Sequence, residues 1–320
     1  MTPEAVLRAL AAHDGISGAR LAQRLGVTRA AVWKQVERLR ALGVQIDALA
    51  GRGYRLVRPL ELLDAARLQA GLSLRATELL RGLDLAFELD STSSALLRLR
   101  PGDAHACVCL AEYQHGGRGR RGRRWHSPLA SNLYASFGWR FDAGAASLSG
   151  LSLAIGVAAH AAVERVGARG VALKWPNDLV AEGRKLGGIL IELGGELAGP
   201  CDAVIGIGIN VAMPEDPGAI DQPFTDLAAL APGVTRHALA VALIDEVLPA
   251  LARFEREGYA PFRAAYERAD ALRDAPVVIE LGRERIEGTA LGVDDAGLLR
   301  VRVDGTERRY ASGEVSVRRA

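Results

Sequence analysis

The chain has 320 residues, long enough for two or three domains, and its 49% apolar and 24% charged residues are the proportions of an ordinary folded protein. The longest apolar run, near Leu148 to Ala159, is broken by Gly and Ser and is too short for a membrane span. Glu4 and Arg8 interrupt the N-terminus where a signal peptide needs an apolar stretch. The net charge of +2 hides a division: residues 1–60 hold ten Lys/Arg against four Asp/Glu, and the rest hold thirty against thirty-four. A basic module therefore precedes a mildly acidic body, which points to a nucleic-acid partner for the first part alone.

The first sixty residues predict a helix-turn-helix with a wing. Val6 to Ala11 forms one helix and Gly18–Leu25 a second. After a turn at Gly26-Val27, Thr28 caps a third, with Val32, Val36, Leu39 and Leu42 at helical spacing. "VQIDALAGRGYRL" alternates and turns at Gly51-Arg52-Gly53, as a β-wing does. The residues read as DNA-contacting are Gly18 at the start of the second helix, Thr28 at the cap of the third with Arg29, Ala30, Trp33 and Lys34 on it, and Arg52 in the wing. "RPLELLDAARLQAGL" (58–72) connects this module to the larger body of the chain, with Pro59 as a stop.

From Leu85 to Leu272 strands and helices mix: "LDLAFELD", "ACVCLAEY", "NLYASFGWRF", a helix through "LSLAIGVAAHAAVERVG", then "VALKWPNDLVAEGRKLGGILIEL", "CDAVIGIGINV" and two helices over 235–272. Hairpin-like runs and grouped helices suit an α+β sheet better than βαβ winding. The last fifty residues read as five short strands of a small β-barrel, with turns near Asp294–Gly297 and at Asp304-Gly305. The expected domains are 1–62, 63–272 and 273–320. Cys107, Cys109 and Cys201 make an odd number without metal-ligand spacing, which fits a reducing cytoplasm. Cys107 and Cys109 share one face of a strand and read as core.

Chemistry concentrates in four stretches. "HGGRGRRGRRW" (115–125) holds five Arg and four Gly in eleven positions, between two strand-like runs. Its glycines let backbone N–H groups converge on an anion, and Arg118, Arg120, Arg121, Arg123 and Arg124 add charged donors. No Walker pattern is present, because no Gly-Lys-Ser/Thr follows, and no GxGxxG fingerprint opens a helix. A phosphorylated small molecule, a nucleic-acid backbone and plain solvent all remain open as its partner. "ALKWPNDLV" (172–180) brings Lys174, Asn177 and Asp178 to the end of a strand; Lys174 and Asp178 also suit a plain surface ion pair. "GRKLGGILIEL" sets Lys185 ahead of two glycines, and "IGIGINV" (205–211) leaves Asn210 as the polar side chain in an apolar strand, with glycines that imply close approach to the backbone. Only three of the forty basic residues are lysines, Lys34, Lys174 and Lys185, so the latter two are candidates for work that needs a compact ammonium. Together these stretches describe a site for a nucleotide and an acyl group.

In this order and spacing, "GRGRRGRRW", "KWPNDL", "RKLGGILIE" and "GIGINV" resemble the biotin–protein ligases. With the winged helix in front, the whole chain resembles the bifunctional bacterial form that also represses the biotin operon. The resemblance implies a winged-helix N-terminal domain, a central domain akin to class II aminoacyl-tRNA synthetases and an SH3-like C-terminal domain. It implies activation of biotin by MgATP to biotinyl-5′-AMP, transfer to a lysine of a biotin carboxyl carrier protein, and a homodimer on operator DNA when the adenylate is bound.

Carried onto this sequence, it places Ser91, Thr92, Ser93 and Gln114 at biotin's ureido ring, with Gly117, Gly188 and Gly206 in the biotin pocket. Arg118, Gly119 and Arg120 close over biotin and phosphate, and Trp125 packs against the closed loop. Lys185 meets the biotin carboxylate and the α-phosphate. Asp178 takes Mg²⁺ or a proton, with Lys174 as its electrostatic partner. Arg121, Asn177, Asn210, Phe224 and Arg318 attend the nucleotide. Ser93 stands where the family usually has Asn, and Phe224 where it often has Trp. Two rivals are a DNA-binding regulator that only senses biotin or its adenylate, and a lipoate–protein ligase of the same superfamily.

Overall fold

The computed structural model describes residues 1–49, 52–195, 199–214, 220–282, 284–313 and 315–319. The N-terminal module holds α1 (Pro3–Ala11), α2 (Gly18–Leu25) and α3 (Arg29–Ala41), followed by the hairpin β1 (Ile46–Leu49) and β2 (Gly53–Leu56). Each helix starts on a hydroxyl cap: Thr2, Ser17 and Thr28 accept a hydrogen bond from a backbone N–H one turn ahead. Gly26 closes α2 in the left-handed conformation, which makes the tight turn into α3. Gly53, at φ +94°, lies so close to Ile16 and Ser17 that a Cβ would collide with their backbone. That contact fixes the wing against the helices. Gly51, expected in the wing turn, lies outside the described residues.

The module's core of Val6, Leu7, Leu10, Leu21, Val32, Val36 and Leu39 also contains Leu129 and Ala130, supplied by the central domain. The connection itself is pinned by a buried charge pair. Arg236 and Glu112, 3% and 1% exposed, meet at 2.6 Å, and Glu112 accepts the Leu63 N–H while Arg236 donates to the Glu61 carbonyl. Buried ions require this many partners.

Past α4 (Ala65–Gly71) and α5 (Leu74–Leu79), the central domain is built on β3 (Gly82–Leu89), β4 (Cys107–Gln114), β5 (Leu133–Phe141), β6 (Val171–Lys174), β7 (Asp178–Ala181), β8 (Arg184–Gly195) and β9 (Cys201–Ile209). They form one sheet in the order β3-β4-β5-β9-β8-β7-β6, antiparallel except for β3–β4, whose connection carries α6 (Thr92–Leu97). The helices α7 (Leu151–Arg165) and α9 (Arg236–Glu257) cover one face. Alternation decides which residues they meet: Ala135, Phe137 and Trp139 of β5 and Ile205, Ile207 and Ile209 of β9 join the core with Ile155 and Leu243. The intervening positions, Tyr134 and Ser136 on β5 and Gly206 and Gly208 on β9, turn to the other face. Cys109 is buried and Cys107 half-buried, and burial pushes the Cys109 thiol up to about 12.

After α8 (Leu227–Leu230) and α10 (Ala260–Ala269), the C-terminal domain is a five-stranded antiparallel sheet. It comprises β10 (Pro276–Leu281), β11 (Glu284–Val293), β12 (Leu299–Val303), β13 (Thr306–Tyr310) and β14 (Ser316–Arg319), in the order β13-β12-β11-β10-β14. Its 294–297 turn docks on the central domain, where Trp175 Nε1 donates to Gly297 O at 3.1 Å and Ser149 Oγ to Ala296 O at 2.5 Å.

Candidate active site

The glycines of "LGGIL" and "IGIGI" come together as a floor. Gly188 of β8 is the register partner of Gly208 of β9, and Leu190 that of Gly206. The Trp125 indole lies on this floor: a Cβ on Gly208 would come within 2.5 Å of its ring, and one on Gly188 within 3.4 Å. Glycine is required here because an aromatic plane rests on the backbone itself. Trp125 Nε1 is buried and has no hydrogen-bond partner among the described residues.

The loop 115–125 reaches the floor as a folded arch. Gly119 N–H donates to Arg123 O at 2.7 Å and Trp125 N–H to Gly117 O at 2.9 Å, and a tight turn with Arg121 and Gly122 at positive φ (58° and 72°) is closed by Arg123 N–H on Arg120 O at 3.3 Å. Gly117 is packed against Ser127 and the Trp125 carbonyl, with no room for a Cβ. Arg118 spans from the arch to both sides of the cleft, donating to Ser94 Oγ of α6 at 2.5 Å and to both Glu192 oxygens of β8 at 3.0 and 2.9 Å. Arg120 donates to Asn177 Oδ1 at 3.2 Å and to the Ser312 carbonyl of the C-terminal domain. Under the arch lies about 770 Å³ of empty space, the open mouth included.

One end of this cavity is lined by uncharged polar groups. Thr92, Ser93 and Gln114 line it, Ser127 and Ser136 stand behind them as hydrogen-bond partners, and all five are buried. Gln114 Oε1 accepts from Thr92 N–H and Oγ1, Gln114 Nε2 donates to Ser127 Oγ, and Ser136 Oγ contacts both Thr92 Oγ1 and Ser93 Oγ. The other end is charged. Lys185 Nζ sits 2.7 Å from Asp178 Oδ1 and 5.6 Å from the Trp125 ring centroid. Burial, then the neighbouring Arg121, lowers the Arg120 pKa, and burial lowers that of Lys174 against the opposing pull of Asp178. A cavity with a neutral hydrogen-bonding end, a flat middle and a cationic end suits a ligand that is polar at both ends and carries an anion at one.

Of the residues expected at the site, Ser91, Thr92, Ser93, Gln114, Arg118, Gly119, Arg120, Trp125, Asn177, Asp178, Lys185, Gly188 and Gly206 line this one cavity. Others stand around it. The Asn210 amide donates to the carbonyls of Thr225 (3.0 Å) and Lys185 (3.4 Å), so it secures the strand from which Lys185 projects. Phe224 pairs through its backbone with Lys185, and its neighbour Gln222 reaches the cavity. Arg318 lies on β14, 3.5 Å from Glu280, and its charge bears on Lys174. Lys174 is the register partner of Asp178, whose ion pair is with Lys185.

Sequence reasoning missed Gln222 and Tyr134, which line the cavity, and Ser136, which stands behind Thr92 and Ser93. Of these, only the odd positions of polar residues in the β5 alternation "LYASFGW" gave a signal. In the N-terminal module Thr28, Arg29, Ala30, Trp33, Lys34 and Arg52 are exposed, Trp33 to 58%, and Gly18 is half-buried beneath Tyr54.

Residues 89–210 match the Biotin/lipoate A/B protein ligase family, residues 4–55 an HTH domain and residues 275–318 the Biotin protein ligase C terminal domain. The chain belongs to the biotin protein ligase family. Among solved structures it is similar to the biotin protein ligase from Aquifex aeolicus in complex with biotin and ATP. The TM-score is 0.66 at 27% identity, over 75% of this chain and 100% of that one. Along nearly its full length it is similar to the bifunctional ligase/repressor BirA of Salmonella typhimurium, 39% identical over 99% of this chain and 98% of the relative. The similarity to BirA of Escherichia coli is 38% over the same shares.

Proposed function

We propose that this chain is a biotin–protein ligase that forms biotinyl-5′-AMP from biotin and ATP, passes the biotin to a lysine of a biotin carboxyl carrier protein, and represses biotin genes as an adenylate-bound dimer. The single observation that carries the reading is the cavity itself. It joins a neutral polar end, a glycine floor under Trp125 and the Lys185–Asp178 pair, in a chain related over its whole length to ligase/repressors. The winged helix argues against a plain lipoate ligase, and the complete cationic end against a mere sensor.

The polar groups at Thr92, Ser93 and Gln114 match a ureido ring, which offers N–H donors and a carbonyl acceptor. The biotin carboxylate then lies toward Lys185. In the first step a carboxylate oxygen attacks the α-phosphorus and the bond to the bridging oxygen of the β-phosphate breaks, releasing pyrophosphate. Lys185 and Arg120, fixed in a partly dry cleft, stabilise charge as it gathers on the α-phosphoryl oxygens. In the second step the acceptor amine attacks the acyl carbon, AMP leaves with the bonding electrons, and Asp178 receives the amine's proton.

Among the described residues no group of three or more His, Cys, Asp and Glu could cage a metal, and Asp178 is the one carboxylate lining the cavity. This fits a Mg²⁺ carried in on phosphates, which needs only one or two protein carboxylates and supplies neutralisation of the phosphate charge. Phe224, beside Gln222, is placed for the adenine, and Arg318 for the nucleotide from the C-terminal side.

The winged-helix residues Thr28, Arg29, Trp33 and Lys34 would enter the major groove, with Arg52 of the wing beside it. No helix among the described residues is long and apolar enough to cross a membrane; with its free thiols, we assign the protein to the cytoplasm. Biotin-dependent exchange of labelled pyrophosphate into ATP tests the first step. Lys185→Ala should slow it by about 10²–10³-fold, the cost of removing one preorganised charge donor, with a much smaller change in biotin affinity. Exchange at the wild-type rate would remove Lys185 from the role.

A further inference from the structure

The polar end of the cavity has a direction. Gln114 Oε1 lies 2.8 Å from the Thr92 backbone N–H, which can only donate, so the amide orientation is settled. Thr92 Oγ1 lies 3.1 Å from the same oxygen, and since a carbonyl oxygen accepts only, the Thr92 hydroxyl proton is spent there. The 2.7 Å contact between Thr92 Oγ1 and Ser136 Oγ must then use the Ser136 proton. The 3.0 Å contact between Ser136 Oγ and Ser93 Oγ must in turn use the Ser93 proton. Each hydroxyl has one proton and each is committed inward. What remains at the cavity end is Ser93 Oγ with lone pairs only, held against Gly206, where an added Cβ would come within 2.7 Å of it.

Resting on the ligase reading above, we infer that Ser136, fully buried and outside the expected site, is the residue that fixes Ser93 as an obligate acceptor. The enzyme thereby selects a ligand that presents an N–H donor at that point. Ser136 is a positioning residue: it touches Ser93 and Thr92 and sets the polarity of what the ligand meets. A ring with an oxygen in place of that N–H would set two acceptors face to face, with no proton available to either. A site built on a buried hydrogen bond to N–H rejects an analogue lacking it far more strongly than an apolar pocket rejects a missing methylene. In Ser136→Ala the Ser93 proton loses its acceptor and turns outward, so an oxygen in the ligand becomes acceptable.

The test uses the full chain and three ligands: biotin and the two cyclic carbamates in which one or the other ureido N–H is replaced by ring oxygen. Binding is followed by calorimetry. The wild type should reject one carbamate on the order of 10⁴-fold relative to biotin. In Ser136→Ala that ratio should fall by about tenfold or more, the value of one neutral hydrogen bond. Ser136→Cys, whose larger thiol fills the site but offers only a weak donor and acceptor, should lower the ratio as well. The ratio between ligands differing by one N–H is the readout, because a merely structural loss weakens all three together. A wild type that binds both carbamates like biotin, or variants that keep the wild-type ratio, would overturn the inference and leave the ligase reading standing. A wild type that binds none of the three would overturn both.

Discussion

Lys174 shows how a single retained lysine can work against the fold that holds it. Its ammonium is half-buried, and burial lowers its pKa, with Asp178 only partly compensating. The unfolded chain keeps the ordinary lysine affinity for protons. Between the depressed folded pKa and the usual lysine value, the unfolded state therefore binds more protons, and native stability rises with pH across that window. At neutral pH, below the window, the charged group costs stability throughout. Lys174→Met should accordingly raise Tm at pH 7 by a few degrees, at roughly 2–4 °C per kcal/mol, abolish the alkaline rise in stability and slow adenylate formation. A lower Tm with undiminished activity would mean that Lys174 is a plain structural residue. The sequence pointed to Lys174 through the scarcity of lysine. It could not reveal that Asp178 pairs with Lys185, because that depends on the register of β7 against β8.

The arch over residues 115–125 was open in sequence to three partners, since composition gives charge but not where the charges are spent. In the fold the arginines take separate assignments. Arg118 is tied to Glu192 and Ser94, Arg120 bridges to Asn177 and the C-terminal domain, and Trp125 lies on the glycines of β8 and β9. The glycine alternation of β9 announced a close approach to its backbone, yet what approaches is the protein's own indole. The pairing of Glu192 with Arg118 carried no signal, because the two are seventy-four residues apart. A bidentate pair that is partly exposed contributes about 1 kcal/mol or less, enough to shift the opening of a loop. Glu192→Gln should therefore quicken amide exchange at Gly119 and Trp125, read by mass spectrometry, and leave α7 and α9 protected. Unchanged exchange in the arch would show that the pair does not hold it.

Over the whole molecule, three modules visible as shifts in charge and periodicity prove to be laid against one another. The winged helix follows the sequence reading closely, with its first helix starting at Pro3 and not Val6, since the Thr28 cap and the Gly26 turn are local signals. Its docking was not readable. Leu129 and Ala130, four and five residues beyond Trp125, complete the DNA-binding module's core, and Arg236 pins the connection from the far side of the chain. One short segment thus runs from the cavity lining at Trp125 to the core of the N-terminal module at Leu129 and Ala130. If the module is a biotinyl-AMP-dependent repressor, a shift assay on its operator should show retardation with biotin plus ATP and little with either alone. Its affinity should fall steeply with salt, as contacts from a +6 module require. Retardation indifferent to biotin and ATP would reject the switch and spare the ligase.

Acyl transfer through an adenylate is the chemistry on which the site, the switch and the ligand selectivity all depend. Labelled biotin incubated with this protein, MgATP and a biotin carboxyl carrier domain should appear on the carrier's lysine, with AMP and pyrophosphate released in equal amounts. The label should be lost when ATP is omitted. A carrier that stays unlabelled, while the protein is folded and binds biotin, would contradict the account.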